Sequence, residues 1–160
     1  MLTFFQKKVK HFFLLLLGIP HCSKIVDMDD SKPTAASSGK KLILVAEDDV
    51  FYANICKSKL TAEGFEVVVA ANGDEALKFV ANRKPDLVLL DLIMPNKDGF
   101  QTLEELRKNE KTKDLKIIVL SNLGQDEDVK KAKSFDVLGY IVKTDITIQD
   151  LVKVIKNVVH

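Results

Sequence analysis

In Leu87-Val88-Leu89-Leu90-Asp91-Leu92-Ile93-Met94-Pro95-Asn96-Lys97-Asp98-Gly99, four apolar residues run without a polar break into a carboxylate, and a proline and an Asp-Gly pair follow. An unbroken run of this kind suits a strand buried on both faces, the condition of strands inside a parallel sheet. The same shape recurs on either side. Leu42 to Ala46, Val67 to Ala70, Ile117 to Leu120 and Tyr140 to Val142 are further short apolar runs. Between them lie segments at helical spacing: Phe51, Ile55 and Leu60, then Ala76, Leu77 and Val80, then Leu103 and Leu106. In the last, Ile148, Leu151, Val152, Ile155, Val158 and Val159 line one face, with Lys153, Lys156 and Asn157 opposite.

Strand and helix alternate five times, which calls for right-handed crossovers and a parallel sheet covered by helices on both sides. The expected fold class is α/β, a doubly wound, flavodoxin-like five-stranded sheet. Asn72-Gly73 and Asp98-Gly99 read as turn signals, and Pro85 stops the second helix from running into the third strand.

The chain has 160 residues, 46% hydrophobic and 29% charged, enough for one ordinary domain. Its net charge of +1 hides an asymmetry, because Lys7, Lys8, Lys10 and Lys24 stand in the first 26 residues with no acid among them. Setting these aside with Lys32, Asp27, Asp29 and Asp30 leaves 19 basic and 20 acidic residues from Lys40 onward, so no nucleic-acid partner is expected. Cys22 and Cys56 form no metal or disulfide pattern, and a reducing, cytoplasmic setting follows.

Residues 1–26 join a basic stretch to the apolar run Phe12 to Leu17. That run is shorter than the roughly 18 residues of a membrane span, and Pro20-His21-Cys22 offers no small-residue cleavage site. Its spacing could form a basic amphipathic helix on an anionic membrane, but the preferred reading starts the protein at Met28. Ser31 to Gly39 reads as a flexible polar linker. Residues 1–39 therefore stand outside the fold, and the domain covers 40–160.

In an open parallel sheet, ligands bind beyond the carboxyl ends of the strands. The first strand runs out into Glu47-Asp48-Asp49, the third into Asp91, the fourth into Ser121-Asn122 and the fifth into Lys143. Carboxylates of Asp48 and Asp91, with Glu47 directly or through a water, suit magnesium, a hard cation that takes oxygen ligands. An aspartate beside such a cation can attack an activated phosphoryl group, which Ser121 and Lys143 would then hold. Each residue alone has a plainer role: first-turn acids at a helix dipole, a turn aspartate, a serine cap, a solvated lysine. Four such accidents at four strand ends are a poorer account than one site.

From about Lys40 to His160 the chain resembles a response-regulator receiver domain. Leu42-Ile43-Leu44-Val45-Ala46-Glu47-Asp48-Asp49 is similar to the family's opening strand and acidic pair, and Leu90 to Gly99 to its phosphoacceptor strand and loop. Ile117 to Ser121 and Gly139 to Lys143 match the later signatures in order and spacing. The resemblance implies strand order 2-1-3-4-5, with Asp91 as phosphoacceptor and Mg2+ held by Glu47, Asp48, Asp91 and the backbone carbonyl of Ile93. It implies Ser121 and Lys143 as phosphoryl-binding groups and Tyr140 as the switch aromatic that turns inward. Glu47 in place of aspartate, Asn122 in place of a small residue and Thr144 in place of proline depart from the family pattern.

The implied function is a phosphorylation-dependent response regulator: no turnover enzyme, but a domain that accepts a phosphoryl group from a histidine kinase or phosphotransfer protein. With only one helix after Lys143, output is expected through binding to a downstream protein or a transient homodimer, using Glu127 to Phe135 and Ile148 to Val159. Two competitors are a phosphorylation-independent adaptor and a magnesium-dependent phosphatase. The second lacks the aspartate expected two residues after the nucleophile, where Ile93 stands.

Overall fold

All five side chains of β1 (Leu42–Ala46) and all four of β3 (Leu87–Leu90) are buried, as their unbroken apolar sequences require. The computed structural model describes residues 39–159, so the readings made for residues 1–38, with Cys22, lie outside the described residues. β2 (Glu66–Ala70), β4 (Ile117–Ser121) and β5 (Gly139–Val142) complete a fully parallel sheet in the order β2-β1-β3-β4-β5. The expected fold class and strand order are therefore both present. The chain leaves β1 for β2 on one side and returns to β3 on the other, which opens a crevice at the carboxyl ends of β1 and β3.

Five helices cover the sheet: α1 (Val50–Ala62), α2 (Gly73–Asn82), α3 (Gly99–Lys108), α4 (Asp126–Lys133) and α5 (Ile148–Val159). α1 lies beside α5, and α2 beside α3. One core layer joins Ala76 and Val80 of α2, Leu103 and Leu106 of α3, and Val129 and Ala132 of α4 to Leu44, Val88, Leu90, Ile117 and Val119 of the sheet. Alternate strand residues, Ile43, Val45, Leu87, Leu89, Ile118 and Leu120, are equally buried and face the other way. None of the helices among the described residues is long and apolar enough to cross a membrane.

The face expected of the first helix needs correction. Phe51 is 76% exposed and Val50 70%, while Ala53, Cys56 and Leu60 are the buried residues. In the last helix Val154 joins the buried set, and Ile148 and Val158 stay half-exposed. The two Asx-Gly pairs are helix starts. Asn72 accepts from the Glu75 N–H at 2.9 Å, and Asp98 forms a reciprocal capping box with Gln101.

Gly99 is needed where it stands because a Cβ there would lie 2.2 Å from the carbonyl oxygen of Asp91. Thus α3 starts directly against the backbone that carries the candidate nucleophile. At the opposite end of the sheet, Arg107 donates to three backbone carbonyls: Nε to Phe135 at 2.7 Å, Nη1 to Lys113 at 2.8 Å and Nη2 to Asp136 at 3.0 Å.

Candidate functional site

The acidic triplet after β1 separates into three roles. Asp49 caps α1, accepting from the N–H groups of Phe51 (2.9 Å) and Tyr52 (3.1 Å), so for this residue the plainer reading holds. Asp48 is exposed at the rim, and Glu47 points inward with 3% of its surface exposed. Asp91, at the end of β3, is 5% exposed, and Ser121, the last residue of β4, is wholly buried.

Both oxygens of Asp91 are engaged. Oδ1 accepts from Ser121 Oγ at 2.7 Å and from the Ile93 N–H at 3.1 Å, while Oδ2 accepts from Lys143 Nζ at 2.6 Å. Lys143 also donates to Glu47 Oε1 at 2.8 Å and lies 2.6 Å from Oε2. Ser121 is therefore no helix cap; the N-cap of α4 is Gln125, whose side chain makes no capping bond. Nor is Lys143 a solvated lysine, since its side chain is 8% exposed.

Burial opposes the charge on Lys143, but the hydrogen bonds and attraction of Asp91 and Glu47 outweigh it, so the ammonium is held above its usual pKa. Burial pushes the Glu47 carboxyl up, against the lowering pull of Lys143. No buried side-chain polar atom among the described residues lacks a partner.

Around these groups lies an open depression of about 380 Å³ lined by Glu47, Asp48, Asp49, Tyr52, Asp91, Ile93, Asn122, Lys143 and Thr144. Carboxylate oxygens of Glu47, Asp48 and Asp91 lie within 4.8 Å of one another. An oxygen-only, acidic donor set open to water on one side fits a hard divalent cation. Ile93 lies at the same wall, with 53% of its surface exposed.

Tyr140 is 6% exposed, already packed inward, and its hydroxyl donates to the Leu123 carbonyl at 2.8 Å. Burial raises its pKa to about 12. Two residues of this region were given no place at the site by the sequence reading. The Tyr52 ring centroid is 4.9 Å from Lys143 Nζ, and the buried Cys56 follows Tyr52 one helical turn later. The helical spacing of Tyr52 and Cys56 was the available signal, but Phe51 and Ile55 offered a competing face.

A buried aspartate, lysine and serine beside an acidic pocket, at the switch point of a parallel sheet, form the constellation that the resemblance to a receiver domain implies, and comparison with known proteins supports that family. Residues 43–156 match the family model of the response regulator receiver domain, and the chain belongs to that family. It is 39% identical over 104 residues to a probable transcriptional regulator, ycf27, of Cyanophora paradoxa, covering 65% of this chain and 42% of that protein. The chain thus spans less than half the length of that relative.

Among solved structures, the chemotaxis protein CheY4 of Vibrio cholerae is similar with a TM-score of 0.69 and 25% identity, over 75% of this chain and 99% of that one. The Mn(2+)-bound form of response regulator Rcp1 is similar with a TM-score of 0.64 and 27% identity, over 74% and 91% of the two chains. Because a relative is a transcriptional regulator, near-neutral charge does not support the expectation that no nucleic acid is involved.

Proposed function

We propose that the chain is a cytoplasmic, phosphorylation-dependent response regulator whose receiver domain spans residues 40–160. A phosphoryl group passes from a histidine kinase or phosphotransfer protein to Asp91. The observation that carries this reading is the convergence of Ser121 Oγ and Lys143 Nζ on the two carboxylate oxygens of Asp91, at 2.7 and 2.6 Å. In the transfer, an Asp91 oxygen bonds to phosphorus as the donor's phosphorus bond breaks and the donor leaves with that electron pair. Ser121 and Lys143 then exchange their bonds to Asp91 for bonds to phosphoryl oxygens.

Glu47, Asp48, Asp91 and the Ile93 carbonyl would hold Mg2+, which offsets the negative charge that otherwise repels an incoming phosphoryl group. Switching begins at Ser121, whose Oγ is 3.5 Å from the Leu123 N–H, while the Leu123 carbonyl accepts from the Tyr140 hydroxyl. A shift of the serine therefore bears on both the loop before α4 and the middle of β5. The result is a change in population of α4, β5 and α5 that alters protein binding.

The test is intact mass after incubation with Mg2+ and acetyl phosphate. The parent should gain one phosphoryl group and Asp91→Asn none. Equal gain in both proteins sinks the assignment; no gain in either, with Mg2+ bound, favours the phosphorylation-independent adaptor.

A further inference from the structure

One aromatic ring on the wall of the site has no part in the scheme above. Tyr52 lines the depression, half-buried, with its ring centroid 4.9 Å from the Lys143 ammonium. The Asp49 carboxylate accepts from its backbone N–H at 3.1 Å, and one turn on along the same helix lies Cys56, which is wholly buried. A cation within about 6 Å of an aromatic centroid is attracted by the ring, more so where water is excluded. Only 8% of the Lys143 side chain is exposed.

Lys143 has particular need of such a contact. It stands between two carboxylates, Glu47 and Asp91, at almost equal distances. When Asp91 becomes an acyl phosphate, the ammonium has to follow the new phosphoryl oxygens while Glu47 still attracts it. A lysine is a point charge on a flexible four-carbon stem and carries no directional preference of its own. The Tyr52 ring supplies a third contact that restricts where the ammonium can go.

Resting on the assignment of Asp91 as phosphoacceptor, we infer that Tyr52 is a positioning residue which, through Lys143, sets the rate of phosphoryl gain. The experiment follows intact mass with time in the full chain at saturating Mg2+ and acetyl phosphate, with thermal midpoints recorded for every variant. Tyr52→Leu should slow phosphorylation by roughly two- to thirty-fold, the span of cation–π strengths. Tyr52→Phe, which keeps the ring and loses the hydroxyl, should stay within about twofold of the parent on the same ground. In a Lys143→Ala background, Tyr52→Leu should make no further difference, because the partner is gone. Tyr52→Met substitutes if the leucine variant does not fold.

The inference is overturned if the parent is phosphorylated and Tyr52→Leu keeps the parent rate. It is overturned equally if Tyr52→Phe is as slow as Tyr52→Leu, or if the leucine cost persists without Lys143. These three outcomes leave the Asp91 assignment standing. A parent that gains no phosphoryl group overturns both.

Discussion

Among the described residues, two lysines each bridge a pair of acids, and their surroundings differ. Lys143 lies between Glu47 and Asp91 with all three side chains at most 8% exposed. Lys97, on the loop after β3, lies 3.1 Å from Asp74 and 2.5 Å from Glu105, whose side chains are 60% and 52% exposed. The drawn geometry is nearly the same; the energetics are not. A solvated pair contributes little, because water screens it and two long side chains lose freedom. In a buried set each charge has lost its hydration, so the members depend on one another, and removing one leaves the others uncompensated. Similar ion pairs thus serve as a loop tether in one place and form the buried core of the candidate site in the other.

The comparison breaks most readily at Lys143. Lys143→Met should lower unfolding stability in chelator by about 3 kcal/mol, the usual cost of orphaning a buried charge. Added Mg2+ should restore part of it, read from urea midpoints with and without the metal. A loss below about 0.5 kcal/mol would mean that the carboxylates are solvated like surface ones.

A second effect comes from the buried wall behind Glu47. Burial, with the Glu47 charge next, raises the Cys56 thiol from 9.0 to about 12. The folded protein thus holds this proton over a range where the unfolded chain releases it. Its contribution is intact below pH 9 and is lost as pH rises from 9 towards 12, by at most about 1.4 kcal/mol per pH unit. Tyr140, also raised to about 12, acts in the same direction. Cys56→Ala should give a shallower alkaline fall in urea midpoint than the parent; identical slopes would contradict a buried thiol. The smallest effect is expected at Lys97, where Lys97→Met should leave the urea midpoint close to the parent's and closer still in high salt.

Much of this was legible in the sequence. Glu47, Asp91, Ser121 and Lys143 each follow directly on an apolar run, so a correct strand assignment carries them to the same edge of the sheet. What stayed hidden depended on rotation about a helix axis. Val50, Phe51 and Tyr52 are adjacent large residues, and Phe51–Ile55 and Tyr52–Cys56 are equally good one-turn pairs. The structure buries Ala53, Cys56 and Leu60, which leaves Phe51 in solvent and puts Tyr52 on the wall of the site. Asn72-Gly73 and Asp98-Gly99 misled in a milder way, since the same residues serve a turn and a helix start, and the difference lies in the Glu75 and Gln101 partners three residues on.

The grip of Arg107 on the Lys113, Phe135 and Asp136 carbonyls has a mechanical meaning. Those residues stand just ahead of β4 and β5, so both strands are clamped at the root while their tips carry Ser121 and Lys143. A reed fixed in this way bends only towards its free end. In the proposed switch, a displacement begun by the serine would start at the free tips, farthest from the ends that Arg107 ties together.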